Sequence, residues 1–153
     1  PRLTNYMFSE SPRLRTLLLR CARLMSDEIN TILLSSQLNY SLWQVLYVIQ
    51  SKQQCTLADI SSYLNVSKPG ITKRIQQLVE LDLITQLETE DKRQKLFKLS
   101  EQGIETFVMC STQIDAFEDQ LLEHIASEDL EGSKNTLIQL IQQLYPSSQD
   151  SPQ

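Results

Sequence analysis

Two helix-start signals, at Thr56 and Ser67, constrain this chain more than any other feature. Asp59 follows Thr56 at the spacing where the two side chains can each cap the other's backbone amide. Ser67 is a second capping hydroxyl. Pro69, just behind it, is tolerated only in the first turn of a helix, where its missing N–H costs nothing. Asn65-Val66 separates the two segments. A short helix over 56–64 must therefore stop, turn, and restart as a helix from Lys68 to about Leu81. Leu57, Ile60 and Leu64 on the first, and Ile71, Ile75 and Leu78 on the second, recur at helical spacing. The two helices brace each other, which by length and turn chemistry is a helix-turn-helix.

The flanking sequence reads as mostly helical. Ser11-Pro12 is expected to open a long helix reaching about Leu34, with Leu14, Leu17, Leu18, Cys21, Met25, Ile29, Ile32 and Leu33 on one face. So apolar a first helix suggests packing against another chain. Asn39 to Ser41 caps a helix ending near Ser51, with Leu42, Val45, Leu46 and Ile49 inward and Trp43 beside Tyr40. After Leu81 the period changes. Leu83 to Glu88 and Gln94 to Leu99 read as two strands joined by the polar link Thr89-Glu90-Asp91-Lys92-Arg93, a β-hairpin. Ser100 then caps a long helix carrying Ile104, Phe107, Val108, Ile114, Phe117, Leu121 and Ile125. Ser127 starts a last helix, with Glu128 and Asp129 at its positive end and a stripe of Leu130, Leu137, Ile138, Ile141, Leu144 and Tyr145. The Ser/Pro/Gln-rich end of the chain is expected to be frayed.

The net charge of −5 argues at first against a polyanionic partner. Its distribution reverses that reading. Residues 1–37 carry +2 and residues 38–103 carry +1, whereas residues 104–153 carry −8. Lys68, Lys73 and Arg74 cluster on the second helix of the motif, and Lys92, Arg93, Lys95 and Lys98 cluster around the hairpin. On the second helix the exposed positions are Lys68, Gly70, Thr72, Lys73 and Gln76, with Arg74 toward one edge. These residue types contact phosphates and base edges. Glu80 and Asp82 lie at the far end of that helix.

Other function classes find little support. The cysteines, Cys21, Cys55 and Cys110, form no CxxC pair, so no metal site is expected. The single histidine, His124, reads as a surface residue near a helix end. With no paired-acid site and no phosphate loop, an enzyme is not expected, nor is a cofactor. No membrane span or secretory signal is read, and a reduced, cytoplasmic compartment fits the cysteines.

The order of elements, together with several motifs, resembles the MarR-type (multiple antibiotic resistance) winged helix-turn-helix regulators. The resemblance is carried by Leu38 to Leu46, Thr56 to Ile60, Leu64 to Ser67, Ile71 to Leu78, Asp91-Lys92-Arg93 as the D-x-R wing signature, and Leu99 to Gly103. Asp82 departs from the pattern, which usually has glycine there. The resemblance implies a mainly α fold with a β-hairpin wing. Residues 1–37 would form an N-terminal dimerisation helix, 38–103 the DNA-binding lobe, 104–146 the C-terminal dimerisation helices and 147–153 a disordered tail, one structural domain overall. It implies a homodimer on a pseudo-palindromic double-stranded operator, with half-sites about one helical turn, roughly 34 Å, apart. The DNA-contacting set would be Thr56, Ser67, Lys68, Gly70, Thr72, Lys73, Arg74, Gln76, Asp91, Lys92, Arg93 and Lys95. Arg93 would enter the minor groove, and Asp91 would hold the wing or that arginine.

The family commonly responds to small amphipathic or aromatic anions, most often as repressors. Candidate ligand residues are Tyr40 and Trp43, Arg20 or Arg23 as carboxylate partner, and Met25 and Phe107 as apolar walls; an aromatic core is the alternative. Redox sensing through Cys21 near Tyr40 is a further option, against which a buried inert thiol is expected at Cys21. A winged-helix protein–protein module with a basic face remains the alternative to a DNA-binding regulator.

Overall fold

The computed structural model describes residues 11–91 and 93–145. The elements are α1 (Leu14–Leu33), a single 3-10 turn (Leu34–Ser36), α2 (Tyr40–Lys52), β1 (Cys55–Thr56), α3 (Leu57–Leu64), α4 (Lys68–Glu80), β2 (Ile84–Leu87), β3 (Leu96–Leu99), α5 (Glu101–Leu122) and α6 (Ser127–Leu144). The chain divides into two compact units within α5, the first ending at Asp115 and the second starting at Ala116.

The predicted caps around the helix-turn-helix are present. The Asn39 side chain accepts from the amide of Leu42 at 2.9 Å and starts α2. Thr56 and Asp59 form the reciprocal box: the Asp59 amide donates to the threonine hydroxyl at 3.1 Å, and the Thr56 amide donates to the Asp59 carboxylate at 3.0 Å. Asn65 closes α3 in the left-handed region, at φ 52°. The Ser67 hydroxyl accepts from the Gly70 amide, with proline in the first turn of α4. Ile71, Ile75 and Leu78 of α4 are all buried. They meet Ile60 of α3, Leu42, Val45, Leu46 and Ile49 of α2, and Phe97 and Leu99 of the sheet in one core.

The hairpin is shorter in strand and longer in loop than the sequence suggests, because pairing stops at Leu87 opposite Leu96. A third strand, β1, was not anticipated. Cys55 and Thr56 pair antiparallel with Phe97 and Leu96, giving the order β1-β3-β2. Two residues carry no readable alternation, so only the approach of β3 makes them a strand. Asp82 stands where glycine is usual, yet the turn survives: its backbone takes φ 60°. Its carbonyl accepts the Ser100 hydroxyl at 2.5 Å.

Three further expectations are corrected. The first helix begins at Leu14, with Arg13 at its cap and no side-chain cap bond, rather than at Ser11-Pro12. Helix α5 ends at Leu122, so Ile125 falls in the turn before α6; on the first part of α5 the buried positions are Gly103 and Cys110, while Ile104 and Val108 are exposed. Cys21, expected to be buried, is exposed, because α1 buries only Leu33 within this chain. The first half of the α1 face anticipated for another chain lies open at Leu14, Leu17 and Cys21, while Met25, Ile29 and Ile32 are half-buried. In the second unit, α6 buries no residue, and Ile138, Ile141 and Leu144 are exposed. His124 is exposed in the turn after α5. Among the described residues no helix is long and apolar enough to cross a membrane.

Candidate nucleic-acid interface

Helix α4 is held by its apolar face, and the opposite face is left to solvent. Lys68, Thr72, Lys73 and Gln76 are exposed along it. Sequence spacing alone explains this, since residues three and four apart share a side. The Thr72 hydroxyl is turned back onto the carbonyl of Lys68 at 2.9 Å. Gly70 is half-buried, and a Cβ there would lie 3.0 Å from the Val66 side chain. Thr56 and Ser67 are occupied as helix caps, so their side chains serve the positions of α3 and α4. Arg74 is half-buried at the edge of α4, and its guanidinium points back to α2.

The wing loop between β2 and β3 is organised by its own backbone. Asp91 Oδ1 accepts the amide of Arg93 at 2.9 Å, an Asx turn that the short acidic side chain makes readily. The Thr89 hydroxyl lies 2.6 Å from the Asp91 carbonyl and 2.7 Å from that of Gln94, sharing its proton across the loop neck. Arg93 and Lys95 are exposed beside it. Lys92, placed at the wing tip by the sequence, falls outside the described residues.

Between α4 and the wing runs an open groove of about 820 Å³. Thr72, Gln76 and Glu80 line one side, Gln86, Arg93 and Lys95 the other, and Ile75 and Phe97 the floor. The structure therefore brings one side of α4 and the basic residues Arg93 and Lys95 of the wing loop onto one face. The ion pairs Arg23–Asp27 and Lys134–Glu131 lie elsewhere. Lys68, Lys73, Arg93 and Lys95 are thus not neutralised by a paired carboxylate, and their field is available to an outside anion.

The candidate ligand residues are not assembled in the same way. Trp43 and Phe107 stack on each other, ring centroids 4.8 Å apart and planes 8° from parallel. Both rings spend a face on that contact, which ties α2 to the first part of α5. Tyr40 is exposed, and its amide donates to Asn30 Oδ1 on α1 at 2.7 Å. Met25 is half-buried and Arg20 exposed, while Arg23 pairs with Asp27 at 3.3 Å on the helix surface.

Sequence reasoning missed four residues that shape this face. Thr89 ties the wing neck, and Gln86 lines the groove. Ser41 and Gln44 receive the Arg74 guanidinium. Thr89 carried a signal, a hydroxyl two residues before an aspartate in a turn; the others depend on which elements pack together. Two groups near β1 have shifted proton affinities. Asp59 is held below the usual carboxylate range, mainly by the Thr56 amide. The Cys55 thiol is pushed up to about 11, mainly by burial and then by the Asp59 carboxylate.

Comparison with known proteins places these features among relatives. Residues 38–103 match a family model described as a winged helix DNA-binding domain. The HTH-type transcriptional regulator YwoH of Bacillus subtilis is 32% identical over 122 residues, covering 80% of this chain and 89% of that protein. A Staphylococcus aureus MarR, solved in complex with salicylate and kanamycin, superposes with a TM-score of 0.78 at 26% identity, covering 84% of this chain and 88% of that one. A cysteine-to-serine mutant of MarR from E. coli, solved with operator DNA, shares the fold, with a TM-score of 0.76 at 18% identity over 84% of this chain and 93% of that one.

Proposed function

Because this chain belongs to the MarR family of winged helix-turn-helix transcriptional regulators, we propose that it is a cytoplasmic homodimer that binds a pseudo-palindromic operator, most often as a repressor, and is released by a small amphipathic or aromatic anion. The observation that carries the DNA reading is the exposure of Lys68 and Lys73 on α4 and of Arg93 and Lys95 on the wing, none of them paired with a carboxylate among the described residues. Recognition-helix side chains would read base edges, with Gln76 suited to adenine and Lys73 to guanine or phosphate. Arg93 would reach the minor groove from a wing that Asp91 and Thr89 pre-shape. Thr56, Ser67 and Gly70 would serve this contact by fixing the start of each helix.

The exposed apolar residues of α1 and those of α6 support the dimer, since exposed apolar patches mark interaction sites. The effector reading rests on the relative solved with salicylate and kanamycin. Tyr40, Met25, Arg20 and Arg23 would line its site here, with the Trp43–Phe107 stack as a rigid back wall. A ligand acts only by binding one arrangement of the two recognition helices better than the other.

The test is a mobility shift with the gene's own upstream region over a range of salt. Specific retardation surviving non-specific competitor is expected. K73A and R93A should each weaken it and lower the slope of log K against log salt by about one. Wild-type affinity in both variants would refute the contact assignment. Absence of any specific retardation, with binding instead to an acidic protein, would favour the protein–protein module.

A further inference from the structure

Resting on the regulator reading, we propose that Arg74 is a positioning residue that clamps the recognition helix to the first turns of α2, and not a contact to DNA. Its neighbours Thr72 and Lys73 are exposed, whereas Arg74 is half-buried. Its Nη1 donates to the carbonyl oxygen of Ser41 at 3.3 Å and to Oε1 of Gln44 at 3.5 Å. Both acceptors are neutral and both sit on α2, so the cation is used to join two helices.

The need for such a clamp follows from how α4 is otherwise held. Ile71, Ile75 and Leu78 bury its inner face, but apolar burial has no preferred direction. A helix held that way can roll by several degrees at little cost, which displaces every base-reading side chain at once. A guanidinium nitrogen that donates to two acceptors one turn of α2 apart opposes that roll. The anchor point is itself secured. Asn39 caps α2 through the Leu42 amide, and the Tyr40 amide donates to Asn30 Oδ1 of α1 at 2.7 Å. The first turn of α2 is thus where both α1 and α4 attach, so a shift of α1 has a hydrogen-bonded route to the recognition helix.

The variants are R74K, which keeps the charge but not the guanidinium, and Q44L, which removes one acceptor from a helix that carries none of the base-reading side chains. On specific DNA selected from a random library, each should lower affinity roughly tenfold, as expected for loss of a charge-assisted hydrogen bond. Binding to non-specific DNA and the salt slope of R74K should stay at wild-type values. The double variant should be no weaker than R74K alone, because both remove one interaction. R74K binding like wild type, while R74M loses one unit of salt slope, would make Arg74 a phosphate contact and overturn the proposal. Additive losses in the double variant would also overturn it. The clamp is read without DNA in the amide spectrum of the full chain: R74M should shift the Gln44 side-chain amide and the Ser41 to Gln44 backbone amides. If those signals stay in place the clamp does not exist, whereas failure of wild type to bind DNA with the shifts present sinks the regulator reading instead.

Discussion

Replacing glycine by alanine at Gly103 and at Gly132 should have effects of opposite sign. Both lie inside helices, where alanine is intrinsically favoured by about 1 kcal/mol. At Gly132 a Cβ would meet nothing within 4 Å, so only that preference acts. G132A should stabilise the protein by about 0.5–1 kcal/mol. At Gly103 the added Cβ would stand 2.0 Å from the carbonyl oxygen of Leu83, a backbone atom. An ordinary carbon–oxygen approach is about 3.3–3.6 Å, so α5 and the turn at Leu83 must part by more than 1 Å. That carbonyl also accepts the Ser100 amide at 3.0 Å, and the Ser100 hydroxyl holds the amide of Gly103 at 2.9 Å. Overpacking of a close contact costs about 1–3 kcal/mol, and a buried carbonyl left without its donor costs about 1–3 kcal/mol more. Subtracting the helix preference leaves a net destabilisation of about 1–5 kcal/mol for G103A. For a chain of this size that corresponds to a fall in Tm of roughly 2–20 °C. Urea and thermal unfolding at one fixed protein concentration measure it, since an oligomer's midpoint moves with concentration. G103A within 0.5 kcal/mol of wild type, or G132A as the worse variant, would refute the close-approach argument.

Three further outcomes follow from the same geometry. Asp59 has a depressed folded-state proton affinity, so its contribution is present above the ordinary carboxylate range and is lost as pH falls below it. Urea midpoints between pH 2 and 6 should show that loss in wild type and less of it in D59N; equal acid sensitivity would sink the assignment, and T56A should cost about 1 kcal/mol by removing the cap. Asp82 occupies the left-handed region at φ 60°, so D82G should raise stability by about 0.5–1 kcal/mol and D82V should lower it; a destabilised D82G in thermal melts contradicts this. Cys55 and Cys110 are buried, with the Cys55 thiol raised to about 11, so neither should react with a thiol reagent at pH 8 before unfolding. Labelling of Cys55 in the native protein at a free thiol's rate, read by peptide mass, contradicts that burial.

Much of the DNA-binding lobe was legible because its signals are local. Thr56 with Asp59, Asn39, and Ser67 ahead of Pro69 each act within one helical turn, so their chemistry is complete in a few consecutive residues. The inner face of α4 was legible for the same reason, since apolar residues spaced four and then three apart define it. The wing's place between Leu83 and Leu99 was readable from the change of period, but its pairing limits were not. Ser11-Pro12 matches a helix start, yet α1 begins at Leu14 behind Arg13. Cys21 is exposed in the single chain because the stripe that carries it, expected to meet another chain, finds no cover within this one.

The sequence by itself determined where helices begin and end around the turn, which face of α4 is apolar, and that the positive charge gathers on the motif despite a net −5. All of these depend on residues close together along the chain. Only the tertiary structure decided that Cys55-Thr56 becomes a strand, that Trp43 lies on Phe107, that Gly103 leaves room for the Leu83 carbonyl, and that Arg74 turns from the exposed face of α4 to Ser41 and Gln44. Those contacts join residues tens of positions apart. Their formation depends on the geometry with which packed helices and strands meet, which no local pattern specifies.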